Sequence, residues 1–258
     1  MSSKKYDFSG KVVLITGSSS GIGLACALQF AKCKANVIIT GYEETEVQMA
    51  AEQIRSITNE MPLHIHGDLS SSQFAEQLVS ASIDRYGRLD VLVNNAGWVC
   101  SGDSFTNPDF MKIYDRIFDL NVRAVFKMIH LCVPFLERTK GSIINTSSVA
   151  GLAPIGKALY SASKAAVNML SSCAAMDLGE KGIRVNAVNP GPIRTNIGRY
   201  CGDDELMLRP SCPETSMTIM KRNGNADEVA NMILFLASDE ASYITGGHYV
   251  VDGGFLCH

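Results

Sequence analysis

The sequence predicts a single α/β domain, a doubly wound parallel sheet with helices on both faces. Three observations lead there. Short runs rich in Val and Ile alternate with helix-length segments, as βα repeats require. Several runs are apolar almost without interruption, the pattern of strands covered on both sides. The 258 residues, 46% apolar and 19% charged, can bury one large core without splitting, and no repeat, Pro-rich linker or low-complexity stretch divides residues 1–258.

In chain order, the expected strands are Val12–Ile15, Val37–Thr40, Leu63–His66, Leu89–Val93, Ser142–Thr146 and Ile183–Val188. Helical periods separate them, among them Leu24–Cys33, Gln73–Tyr86 and Ala158–Leu178. Right-handed crossovers then place ligands outside the carboxyl ends of the strands, so the residues following each run are the ones to inspect.

After the first run comes Thr16-Gly17-Ser18-Ser19-Ser20-Gly21-Ile22-Gly23 and an Ala-rich helix. Glycines there allow a tight turn and close approach of a pyrophosphate, which the helix N-terminus attracts through its unpaired N–H groups. The spacing G-x-x-x-G-x-G is neither the common G-x-G-x-x-G nor a P-loop, and alone it also fits a simple tight connection. Farther on, Tyr160 and Lys164 lie four apart, hence one turn apart on one helix face. A phenol, with a usual pKa of about 10, is a poor base near neutrality; a neighbouring ammonium favours its ionised form and lets it exchange protons. Ser147 and Ser148 end the fifth run, where a hydroxyl can hold a substrate oxygen.

With Asp68-Leu69, Asn94-Asn95-Ala96-Gly97, Asn121, Pro190-Gly191, Ile193, Thr195 and Val251-Asp252-Gly253-Gly254, these motifs occur together in one order. From Phe8 to Phe255 the chain resembles the short-chain dehydrogenase/reductase family, in particular its β-ketoacyl-reductase-like and steroid- or alcohol-dehydrogenase-like members. The resemblance implies a Rossmann-like fold and an NAD(P)-dependent oxidoreductase acting between a carbonyl and a secondary alcohol. Tyr160 would exchange the proton, Lys164 would tune it and grip the nicotinamide ribose, and Asn121 would support a water relay. The family spacing from the tyrosine counts back to Ser147, whereas aligning the strand gives Ser148. A loop absorbs a deletion more readily than a strand, so Ser148 is the expected holder of the substrate oxygen and Ser147 the alternative.

The implied cofactor contacts are Gly17, Ser19, Ser20, Gly21, Ile22 and Gly23 in the turn, Tyr42, then Asp68 and Leu69 at the adenine. Asn94, Ala96 and Gly97 follow near the ribose, Tyr160 and Lys164 in the centre, and Pro190, Gly191, Ile193 and Thr195 around the nicotinamide. Gly41 stands where an acid would bind the ribose 2′-OH, and Tyr42 where an arginine would bind a 2′-phosphate; lacking the acid, the chain is expected to take NADP(H) in preference to NAD(H). Residues 194–220, with Tyr200, Met207, Leu208, Met217 and Met220, read as a substrate lid over an apolar pocket suited to 3-oxoacyl, lipid, steroid or terpenoid compounds. A catalytically idle dinucleotide-binding module acting through protein partners is the alternative.

Composition excludes other classes. Lys plus Arg number 23 against 26 Asp plus Glu, a net charge of −3, with no basic surplus for nucleic acid. No run approaches the roughly 18 apolar residues of a membrane helix, and the first residues show no secretory pattern, so a cytoplasmic protein is expected. Eight cysteines without a C-x-x-C pair read as reduced core residues; Cys26 and Cys33, two turns apart, are too distant for a bridge. His64 and His66 share a strand face but have no third ligand nearby, and no metal is expected. The helix 158–178 is apolar on several sides, which predicts a homodimer or homotetramer.

Overall fold

The computed structural model describes residues 6–195, 197 and 218–257. Among them, seven strands form one parallel sheet: β1 Val12–Ile15, β2 Asn36–Gly41, β3 Leu63–His66, β4 Val91–Asn94, β5 Ser142–Thr146, β6 Arg184–Pro190 and β7 His248–Val251. Their order is β3-β2-β1-β4-β5-β6-β7, so the winding reverses between β1 and β4 and opens a crevice above their carboxyl ends. Six strands match the sequence expectation to within a few residues. The seventh was not anticipated: β7 is a short edge strand, half exposed along its length, and so lacks a buried strand's continuous apolar signature.

The helices are α1 Gly21–Lys32, α2 Glu44–Thr58, α3 Ser72–Tyr86, α4 Phe110–Phe118, α5 Ala124–Thr139, α6 Ala158–Leu178 and α7 Ala226–Ala237. Strand alternation sorts the core into two layers. Val13 and Ile15 meet Phe30, Ile54 and Ile233 of α1, α2 and α7, while Val12 and Leu14 meet Leu78, Met128 and Val167 of α3, α5 and α6. Each such fully buried side chain contributes about 1.5–3 kcal/mol relative to exposure. A third, smaller cluster of Trp98, Cys100, Ile117 and Leu159 lies beside the crevice. Between α4 and α5 the chain widens into a π-helical turn, Asp119–Arg123. No helix among the described residues is long and apolar enough to cross a membrane.

Candidate active site

A cleft of about 960 Å³ occupies the crevice. Its floor starts with the turn after β1. Gly17 has φ +60°, and a Cβ there would lie 2.8 Å from Ala96 Cα, so only glycine lets this turn meet the loop after β4. Two residues whose roles the sequence did not reveal stitch these segments. Thr16 Oγ1 accepts from the N–H groups of Asn95 (2.9 Å) and Ala96 (3.0 Å), and Asn95 Nδ2 donates to the carbonyls of Thr16 and Gly17. Ser20, Gly21 and Ile22 begin α1 in the cleft wall, and among the described residues no side chain caps that helix start, leaving its N–H groups available to an anion.

Gly17, Ser19, Ser20, Gly21, Ile22, Tyr42, Asp68, Leu69, Ala96, Gly97, Tyr160, Lys164, Pro190, Gly191, Ile193 and Thr195 all line this cleft. Two residues expected as contacts do not. Gly23 lies under the turn, where a Cβ would fall 2.2 Å from the Gly17 carbonyl, and Asn94 is buried within the sheet, donating to Asn145 Oδ1 at 2.9 Å. Both shape the cleft from behind because their strand and helix positions face the packed interior.

At the far end, α6 carries Tyr160 and Lys164 one turn apart, both buried. Lys164 Nζ donates to the Thr146 carbonyl at 2.9 Å and lies 5.7 Å from the Tyr160 ring centroid. Successive serines after β5 point in different directions. Ser147 Oγ donates to the Lys164 backbone carbonyl at 2.9 Å, whereas Ser148 Oγ accepts from the Ala150 N–H at 3.1 Å and faces the Tyr160 phenol, whose ionised form it favours. The expected lowering of the phenol is not found in the protein alone. Burial pushes Tyr160 upward, and the nearby Ser148 hydroxyl only partly opposes it. Burial also brings Lys164 down to about 8.

Asn121 is buried in the π-helical turn and does not line the cleft. Its Oδ1 accepts from Trp98 N–H at 2.8 Å, and its Nδ2 donates to Trp98 O at 2.9 Å and Ser163 Oγ at 3.1 Å. Sequence reasoning missed one wall. Lys112, Asp115, Arg116 and Asp119 of α4 and its following turn line the cleft, Arg116 lying 4.5 Å above the Trp98 ring, as does Phe255. These carry no motif; only an amphipathic period marks α4. Of the expected lid, Thr195 and Ile197 line the cleft, while Tyr200, Met207, Leu208 and Met217 lie outside the described residues. Among the described residues no group of three or more His, Cys, Asp or Glu could hold a metal, and Cys26 and Cys33 are free thiols.

By strand order the cleft runs from Tyr42 and Asp68 after β2 and β3, past the α1 N-terminus, to Ser148 and Pro190 after β5 and β6. Glycines at 17, 41 and 191 keep clear the spaces a Cβ would fill against Ala96, Ser19 and Asp252. Such an elongated groove with an anion site midway fits a dinucleotide. A family model described as enoyl-(acyl carrier protein) reductase matches residues 17–256. The chain belongs to the short-chain dehydrogenase/reductase family. It is 36% identical to trans-4-hydroxycyclohexanecarboxylate dehydrogenase of Sinomonas cyclohexanicum, over 95% of this chain and 92% of that one. It is 35% identical to a 3-oxoacyl-[acyl-carrier-protein] reductase of Thermotoga maritima, over 96% and 98%. A short-chain dehydrogenase/reductase of unknown function from Caenorhabditis elegans, solved with cofactor, superposes with TM-score 0.89 at 32% identity over 97% of this chain and 96% of that one. The protein is thus an oxidoreductase acting on CH–OH or C=O groups with a nicotinamide cofactor.

Proposed function

We propose that this family member moves a hydride between nicotinamide and an apolar carbonyl or secondary-alcohol substrate, with Tyr160 exchanging the proton. The observation that carries the reading is the meeting of the Ser148 hydroxyl with the Tyr160 phenol, Lys164 one turn along, in the cleft that holds the glycine turn. The bound dinucleotide supplies the hydride chemistry. The chain does the rest. Burial keeps Tyr160 protonated, ready to donate to a carbonyl oxygen that Ser148 holds. Lys164, fixed by the Thr146 carbonyl, favours the phenolate once the proton has left, and Asn121 supports proton return by bracing Trp98 and Ser163.

The relatives' names supply two substrate types, a cyclic hydroxy carboxylate and a 3-oxoacyl group. Preference for NADP(H) rests on Gly41, which offers no carboxylate at the end of β2. A counterweight is Glu46 of α2, whose Oε2 accepts from Ser19 Oγ at 3.4 Å. We also infer a homodimer or homotetramer. The test is a panel of 3-oxoacyl thioesters, steroid and terpenoid alcohols and hydroxycyclohexane carboxylates, each with NADP(H) and NAD(H), on the parent and Tyr160→Phe. Turnover lowered about 10²–10⁴-fold in the variant, with cofactor still bound, is expected. A parent that binds cofactor but turns over nothing in the panel favours the partner-acting module, and tighter NAD(H) binding reverses the cofactor preference.

A further inference from the structure

The start of α6 is built unlike an ordinary helix N-terminus. Lys157, the residue before it, provides no side-chain cap, and neither of the two acceptors it needs comes from its own flank. Both come from a single carboxylate 56 and 57 residues earlier in the chain: Asp103 Oδ1 accepts from Leu159 N–H and Asp103 Oδ2 from Tyr160 N–H, each at 2.9 Å. Asp103 is only 4% exposed. A local Ser, Thr or Asn would satisfy a helix start equally well for stability. Burying a carboxylate is costly unless its oxygens are bonded, so what the distant acceptor adds is a connection between two parts of the cleft.

That connection runs both ways. Lys157 Nζ donates to the carbonyls of Cys100 and Ser101, at 3.1 Å each, so the loop 98–103 holds α6 by its carboxylate and is held by the α6 lysine. The other end of residue 160 is held as well. Ser163 Oγ donates to the Tyr160 carbonyl at 2.7 Å and accepts from Asn121 Nδ2, and Asn121 grips both backbone groups of Trp98, where the loop begins. Hydrogen bonds therefore link Trp98, Asn121, Ser163, Tyr160 and Asp103 in series, and the backbone from 98 to 103 closes the ring. We infer that Asp103, braced by Lys157, is a positioning residue that sets Tyr160 against Ser148 and couples that setting to the cleft wall formed by Trp98. The inference rests on the reading of Tyr160 as the proton-exchanging group.

Two acceptor oxygens on adjacent N–H groups require a carboxylate. The amide of Asp103→Asn offers one oxygen and turns an N–H₂ toward the other donor, while Asp103→Ala removes both acceptors. The experiment labels tyrosine with ¹³C at Cζ in the full chain and assigns the Tyr160 signal by its loss in Tyr160→Phe. Asp103→Asn, Asp103→Ala and Lys157→Met are then compared by that signal, by cofactor affinity and by kcat on whichever panel compound turns over. In Asp103→Asn the Tyr160 signal should move or broaden and kcat should fall about tenfold or more at unchanged cofactor affinity and cofactor KM, with Asp103→Ala worse. Lys157→Met should disturb the signal in the same direction, and it decides the matter if the alanine variant does not fold. Parent-like signal and kcat in Asp103→Asn overturn the inference, even where melting temperature falls. A Tyr160→Phe variant with parental kcat instead overturns the reading of Tyr160, and the Cζ signal then still decides whether Asp103 positions that ring.

Discussion

Lys164 is a cation placed where charge is expensive. Its ordinary value of 10.5 falls to about 8 because burial penalises the ammonium, which is anchored on the Thr146 carbonyl. Between pH 8 and 10.5 the unfolded chain binds more protons at this position than the folded one, so folding stability rises with pH through that window. Below about pH 8 the full cost is present. Melting curves of the parent and Lys164→Met should therefore converge or cross in the parent's favour as pH climbs from 8 to 10.5. A gap that stays constant over that range would show that Lys164 is not desolvated as the fold implies. The four-residue spacing of Tyr160 and Lys164 was readable in the sequence. The upward shift of the phenol was not, because spacing says nothing of how deeply a side chain is buried.

A strand's two-residue period does its clearest work at the end of β5. Ser147 and Ser148 are chemically identical neighbours, yet one tightens the β5–α6 contact through the Lys164 carbonyl and the other meets the phenol. Ser147→Ala should thus cost stability, about 1 kcal/mol in urea unfolding, with kcat nearly kept. Ser148→Ala should lower kcat about a hundredfold or more while leaving the unfolding midpoint close to the parent's. The reverse pattern would assign the substrate oxygen to Ser147. Counting back from Tyr160 and aligning the strand gave different serines, a conflict that sequence spacing alone could not resolve and that side-chain direction addresses. Other elements left weaker traces. β7 is short and half exposed, and the π-helical turn at Asp119–Arg123 has the composition of ordinary helix, so neither stands out by period. The cleft residues of α4 escaped for a related reason: a helix face that lines a groove reads the same as one that faces water.

Among the described residues, one apolar flank of the molecule is exposed. On α6, Met169 and Met176 are 66% and 84% exposed, with the exposed Cys173 between them, a spacing that sets all three on one outward stripe. Beside it, Ser172 Oγ meets His248 Nε2 at 3.0 Å, which places the stripe next to β7, the last strand of the sheet. An apolar helix stripe flanking an open strand edge is unfavourable in water, and pairing with a second copy would cover both features at once. A lasting interface buries on the order of 1,200–2,000 Å² in total, more than these side chains alone provide, so Val250, 42% exposed on β7, should be drawn in as well. Light scattering coupled to size exclusion should give twice or four times the 27.9 kDa chain mass, and Met176→Glu, which sets a charge on that apolar stripe, should shift the population toward smaller species on dilution. A parent that elutes as a monomer at micromolar concentration would leave the stripe without a function in assembly. An unchanged oligomer in Met176→Glu would place the contact on another face.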